Sequence, residues 1–350
     1  MYLKKIVKAI VKRTFFYSVL YKYIARRNEK KLIFQELNLN RNDFFLISDS
    51  CQAVGILSGW SHYMTLVNFA LKHNLIPIID FTKKYMPVFM DKDYNGKDNY
   101  WDFYFTQPQA KYTVDNIPQK ANVVYVDYNQ LMKKYGCTFS RYSLYKNSNN
   151  DYISQMNKKD TALVRKFYKK CHLSDSIIGL GDSFIVDNKI ADKKVLGVSF
   201  RRGFERFHKL NSPITPEGTH PIKSTLEKLL IDVEHVMQEF GFECFFLTTD
   251  DRESLDKMKE KFGNKCLHTN RRLQHMFENN EVLLRNTDEE TIEAIFSEFE
   301  GVKEPVKTRN IEYLTDVYIL SKCNSLLARG GSADVFAYII NDDKYECIYE

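Results

Sequence analysis

The sequence predicts an α/β protein of two domains, each a parallel sheet flanked by helices. Short apolar runs of strand length, Phe44-Phe45-Leu46-Ile47 among them, alternate with longer stretches of helical periodicity, the rhythm of βα units. The chain has 350 residues, enough for two domains that each bury a core. Its 44% hydrophobic and 27% charged residues are those of a globular chain, which sets fibrous and disordered classes aside.

Residues 1–31 stand apart. Ile6, Val7, Ile10, Val11 and Phe15 recur at helical spacing among lysines, a basic amphipathic helix whose apolar run is broken too often to span a bilayer. No small-residue cleavage site follows, so the segment does not read as a secretory signal. Residues 32–180 are expected to form the first domain, with strands at Phe44–Ile47, 75–79 and Val123–Val126 and a helix at 60–72. A polar, Asn-rich stretch at 146–160 interrupts the pattern before a helix expected at 161–171. Residues 181–350 are expected to form the second domain, whose βα units begin with a strand at Val195–Phe200. There Ser224-x-x-Glu227 has the form of a capping box ahead of Leu226, Leu229, Leu230, Val233, Met237 and Phe240 on one helix face. Further strands are expected at 244–247 and near 265–268. The connection from Thr269 to Asn310 is too long for an ordinary loop, and Thr287-x-x-Glu290 with Ile292, Ile295, Phe296 and Phe299 marks an amphipathic helix inside it. An apolar helix is expected at 333–340.

The chemistry sits at the strand ends of the second domain. Val195–Phe200 runs into Arg201-Arg202-Gly203. Arginine presents a planar fork that grips phosphate bidentately and keeps its charge, so a pair at the C-terminal end of a parallel strand points to a phosphorylated ligand. Cys244-Phe245-Phe246-Leu247 runs into Thr248-Thr249-Asp250-Asp251, bringing paired carboxylates to the same edge. Asp316 through Ser321 leads by way of Ser325-Leu326-Leu327 to Arg329-Gly330-Gly331-Ser332 at a helix start. Glycines there let backbone N–H groups close on a phosphate, and the helix dipole favours negative charge.

In this order, Arg201-Arg202-Gly203, Thr249-Asp250-Asp251 and Asp316…Leu320-Ser321…Gly331-Ser332 resemble the nucleotide-binding motifs of one enzyme family. It is the α1,6-fucosyltransferase and nodulation-fucosyltransferase family, with its protein O-fucosyltransferase relatives. Cys51-Gln52-Ala53-Val54-Gly55-Ile56-Leu57-Ser58-Gly59, Pro77-Ile78-Ile79-Asp80-Phe81 and Asn99-Tyr100-Trp101-Asp102-Phe103-Tyr104-Phe105 are similar to the glycine-rich loop, second strand and Asn/Trp loop of that superfamily. Two positions depart from the pattern: Ser199 stands where the family has His and Phe204 where it has Asp, with Glu205 one residue on. The resemblance is therefore to a divergent member.

It implies a GT-B-like pair of Rossmann-like domains and an inverting glycosyltransferase, most directly a fucosyltransferase moving L-fucose from GDP-fucose to a glycan hydroxyl. Arg201, with Arg202, would hold the departing diphosphate, and Gly331 and Ser332 would share its charge. Asp316 would accept from the guanine edge, and Asp250 and Asp251 would order the site. Glu217, in Pro216-Glu217-Gly218-Thr219-His220-Pro221, would take the acceptor's proton. The partners implied are the nucleotide sugar and a glycan acceptor. The alternatives are the same fold with another GDP- or UDP-sugar, or a catalytically silent nucleotide-binding scaffold of a polysaccharide assembly complex.

Other classes find less support. Asp91-Lys92-Asp93 has the Asp-x-Asp spacing of metal-dependent transferases of a different fold but lies in a Lys/Asn/Gly-rich loop, and the eight histidines are dispersed; no metal and no cofactor are expected. Ten Lys/Arg against one Glu give residues 1–31 a charge of +9 within a total of +6, so residues 32–350 are net −3 and no nucleic-acid surface is expected on the body. Seven cysteines without a C-x-x-C pair match a reducing compartment, with Cys244 and Cys323 as small hydrophobes. The expectation is a cytoplasmic protein. Its N-terminal segment either lies as a helix on an anionic membrane face, or packs on the body or frays. If it is a surface anchor, deleting residues 1–31 should release the protein from anionic vesicles in a salt-sensitive way, at about 1 kcal/mol per basic residue. Co-sedimentation unchanged by the deletion would assign the helix to the body.

Overall fold

Every residue of Phe44-Phe45-Leu46-Ile47 is buried, as suits a strand with neighbours on both sides. The structure is a computed structural model that describes residues 31–48, 55–83, 89–91, 93–139, 142–144, 153–200, 225–249, 251–271, 305–329 and 331–350. In its first half β1 (Phe44–Ile47) lies between β2 (Ile76–Ile79) and β3 (Val123–Val126), all parallel, giving the order β2-β1-β3. The crossover helix α1 (Ile56–Lys72) packs on this sheet with Trp60, Tyr63 and Phe69 fully buried. Strand β2 begins one residue later than the apolar run because Leu75 N–H still closes the end of α1 on Ala70 O at 2.9 Å. Pro77, which lacks an N–H, is accommodated because among the described residues β2 is an edge strand paired with β1 alone.

Further helices of this half, among the described residues, are α2 (Trp101–Tyr104), α3 (Tyr128–Phe139), α4 (Lys158–Tyr168) and α5 (Asp175–Asp187). Helix α4 starts ahead of the expected residue 161 because the Asn157 side chain accepts from Asp160 N at 2.9 Å and caps it there. Helix α5 runs through residues 180 and 181 and continues onto the second half. It approaches the later helix α8 (Val306–Leu320) so closely that a Cβ on Gly181 would lie 2.3 Å from Tyr318 Cδ1. Only hydrogen fits there, and the Tyr318 hydroxyl reaches over to donate to Asp182 Oδ1 at 2.8 Å.

The second sheet has the order β6-β5-β4-β7-β8, again all parallel. Its strands are β4 (Val195–Phe200), β5 (Cys244–Thr249), β6 (Cys266–Leu267), β7 (Ser325–Leu327) and β8 (Ile348–Tyr349). Around them run α6 (Leu226–Phe240), α7 (Arg252–Phe262), α8 and α9 (Ser332–Asn341). Helix α6 is capped by Thr225, whose side chain accepts from Lys228 N at 3.2 Å; Ser224 of the expected Ser224–Glu227 box lies outside the described residues. Val236 is buried on its inner face while Phe240, at the last turn, is 40% exposed against Tyr349. The amphipathic helix expected within 287–299 lies outside the described residues.

The two halves share one apolar cluster. Phe336 of α9, 2% exposed, meets Trp60 of α1 edge-on at 5.1 Å, Tyr168 of α4 at 5.6 Å and Phe105 at 6.4 Å. At the rim Arg165 of α4 pairs with Asp343 through hydrogen bonds that include one of 2.7 Å, and Lys169 pairs with Asp342 at 3.1 Å. Truncating Phe336 to Ala should cost about 3–5 kcal/mol, since the ring fills a socket that α1 and α4 cannot close. Denaturant titration followed by Trp fluorescence checks this, with loss of under ~1 kcal/mol arguing that the joint is loose.

Candidate functional site

Parallel pairing brings the C-terminal ends of β4, β5, β6 and β7 to one edge, where α/β sheets bind ligands. Strand order reverses direction between β4 and β7, which makes the crevice between those two ends the topological switch point. Phe200 ends β4 opposite Thr249 of β5. The chain then continues into Arg201 and Arg202, which lie outside the described residues, as do Glu217 and Asp250. On the other side of the switch point β7 leads to Gly331, whose φ of 146° and ψ of 170° suit glycine alone, and to Ser332, exposed at the first turn of α9. The same turn is fixed from below: Asp334, 1% exposed, accepts from Arg329 N at 3.1 Å, and the Arg329 guanidinium pairs with Asp232 of α6.

Asp251 serves α7. Its Oδ2 accepts from Ser254 N at 2.8 Å and from Ser254 Oγ at 2.5 Å, so the carboxylate anchors the helix start at the sheet edge.

Asp316 lies well along α8, not at its start, so it caps no turn of its own. The residue is 2% exposed. Its carboxylate is the meeting point of three elements. Thr248 of β5 donates to Oδ2 at 3.1 Å, Thr269, just past β6, donates to Oδ1 at 2.6 Å, and Arg271 Nη1 stands 3.5 Å from Oδ2. Burial raises the Asp316 pKa above the ordinary carboxylate value, while Arg271 and the two threonine hydroxyls draw it back down. The Arg271 guanidinium lies over the Tyr313 ring at 5.0 Å, and Arg309, two turns before Asp316, is close enough for the two guanidinium groups to repel. Burial and that repulsion lower the Arg309 pKa, while Asp91 and Tyr104 oppose the change.

The expected residues thus divide. Gly331, Ser332, Asp251 and Asp316 belong to one sheet edge, and Asp316 brings with it Thr248, Thr269, Arg271 and Tyr313, which the sequence analysis did not assign. A signal for Arg271 was present, since Thr269-Asn270-Arg271-Arg272 repeats after β6 the pattern of a strand ending in paired arginines. Asp91, half of the Asp-x-Asp pair, has a different occupation. Its Oδ1 accepts from Lys307 N in the first turn of α8 at 3.2 Å and its Oδ2 from the Tyr100 hydroxyl at 3.2 Å, whose pKa is pushed up to about 12 by burial and by Asp91. Among the described residues no group of three or more His, Cys, Asp or Glu side chains is placed to hold a metal ion, and no helix is long and apolar enough to cross a membrane.

No family model and no curated protein matches this sequence. Among solved structures, POFUT1 in its apo form is similar over 89% of this chain and 99% of its own, at TM-score 0.50 and 11% identity. POFUT1 in complex with GDP-fucose covers 89% and 98% at TM-score 0.45 and 10% identity. NodZ alpha-1,6-fucosyltransferase co-crystallized with GDP covers 87% and 92% at TM-score 0.45 and 11% identity. The likeness to apo POFUT1 is one of fold: a mixed α/β chain with two parallel sheets.

The buried Asp316 gives a pH signature. Its folded pKa lies above the unfolded value of about 3.9, so the native state holds the proton longer and stability falls as pH rises above that value. Asp316→Asn removes this loss. The stability of the variant relative to the parent should therefore shift in the variant's favour between about pH 4 and pH 7.5, measured by urea titration at each pH. A difference independent of pH would mean that Asp316 titrates in the fold as it does in the unfolded chain.

Proposed function

We propose that this protein is an inverting glycosyltransferase that moves a sugar, L-fucose in the first instance, from a GDP donor to a hydroxyl of a glycan acceptor. One observation carries the reading. The strand order β6-β5-β4-β7-β8 sets the switch point between the strand that runs into Arg201-Arg202 and the strand that runs into Gly331-Ser332. A diphosphate in that crevice would have guanidinium forks on one side and a helix N-terminus on the other. The fold shared with POFUT1 supports the same reading.

In this mechanism Arg201, aided by Arg202, meets the charge that grows on the β-phosphate as the glycosidic bond breaks, and the start of α9 at Gly331 and Ser332 shares it. The acceptor oxygen attacks the anomeric carbon from the opposite face, and Glu217 takes its proton. Asp250 and Asp251 order the edge, Asp251 by fixing the start of α7. Asp316 accepts from the N1–H and N2–H of guanine, a pairing that uracil, with an acceptor in place of the amine, does not offer. Arginine and the helix dipole supply the positive charge, so the reaction asks for no further cofactor.

Nucleotide-dependent thermal shift and release of GDP from GDP-fucose test this together. GDP at a hundred times its Kd should add about 2.7 kcal/mol of stability, UDP should add far less, and GDP should appear slowly from the sugar nucleotide. Equal stabilisation by GDP and UDP would remove the guanine assignment. Tight GDP binding with no turnover would make the chain a nucleotide-binding scaffold.

A further inference from the structure

Helix α8 presents Arg309, Tyr313 and Asp316 at spacings of four and three, which places them along one face. Across that face lies Arg271. Its guanidinium covers the Tyr313 ring at 5.0 Å and directs Nη1 to Asp316 Oδ2 at 3.5 Å. Guanine would make the same two contacts. Its six-membered ring contains a guanidine fragment, N1–C2(N2)–N3, flat enough to stack on an aromatic ring, with N–H donors along the edge that faces a carboxylate.

We infer that Arg271 is an internal stand-in for the base: it occupies the purine subsite of the nucleotide-free protein and must leave Asp316 and Tyr313 for GDP to enter. The inference rests on the guanine role proposed for Asp316. Three features suit a group built to leave. The contact with Asp316 is at the outer limit of a hydrogen bond and engages one nitrogen, where a committed Arg–carboxylate pair is short and bidentate. Arg309 stands near enough to repel it. Thr248 and Thr269 hold the Asp316 carboxylate in place independently, at 3.1 and 2.6 Å, so the acceptor stays oriented when the guanidinium goes.

A self-ligand lowers apparent affinity by the fraction of molecules in which it is displaced. Isothermal titration of the full-length chain with GDP and with UDP, for the parent, Arg271→Ala and Arg271→Gln, measures this directly. Both variants should bind GDP more tightly, by about five- to tenfold if the open form is populated at 10–20%. Their UDP affinity should not change. The Gln variant keeps the side chain out to Cδ without the charge and guards against a local collapse in the Ala variant. Weaker or unchanged GDP binding in a folded variant, with the parent still binding GDP, overturns the inference and leaves the proposed function standing. An equal gain for GDP and UDP overturns it too, since simple unblocking of the site would then explain the effect without mimicry. Absence of GDP binding in parent and variants alike would instead overturn the guanine assignment beneath it.

Discussion

The position of the candidate site depends on one apolar contact, the burial of Phe336 between Trp60, Tyr168 and Phe105. Phe336 lies four residues after Ser332, one turn along the same face of α9. The helix is therefore held by its middle in the first half of the chain while its N-terminus stands at the sheet edge of the second. An aromatic residue suits this task because its area and shape fix a helix in rotation as well as in place. The joint also explains why a single apolar cluster spans both halves although their sheets are separate.

Asp316 is the polar counterpart of that joint. Burying a carboxylate is costly unless donors replace water, and here they come from β5, from the segment after β6 and from a neighbouring arginine. The arrangement stabilises the charged form only in part, since burial still dominates the shift. A fold that needed only packing at this position would place an apolar residue there. Buried ionisable groups whose pKa is shifted in this way are found more often where ligands are bound.

The sheet framework was legible because parallel strands buried on both faces are near-continuous apolar runs, as in Phe44–Ile47, Val195–Phe200 and Cys244–Thr249. Cys244, in β5, and Cys323, in the turn after α8, are both buried free thiols packed as small hydrophobes. Boundaries were less legible, since they follow single hydrogen bonds: the Asn157 and Thr225 side chains set the starts of α4 and α6. Helix α5 escaped notice because its partner, Tyr318, lies more than a hundred residues away and the close approach is encoded by one glycine. Within the site, Asp316 and Ser332 could be named from motif and position. Thr269 and Tyr313 could not, because what joins them to Asp316 is the lateral order of the strands; Arg271 could, from the paired arginines that follow the strand expected near 265–268. Asp91 shows the converse, a metal-like spacing whose carboxylate in fact receives Lys307 N and the Tyr100 hydroxyl.

That use of Asp91 has a mechanical side. The helix it caps belongs to the second half of the chain, the carboxylate to the first, and the Lys307 ammonium lies over Phe103 beside it. Prising the halves apart would strip α8 of an N-terminal acceptor and leave its orphan N–H groups to water at the same moment. Separation of the halves and exposure of the first turn of α8 are thus one event. The latch sits on the helix that carries Asp316, so losing it would loosen the start of the helix that holds the carboxylate two and a half turns on.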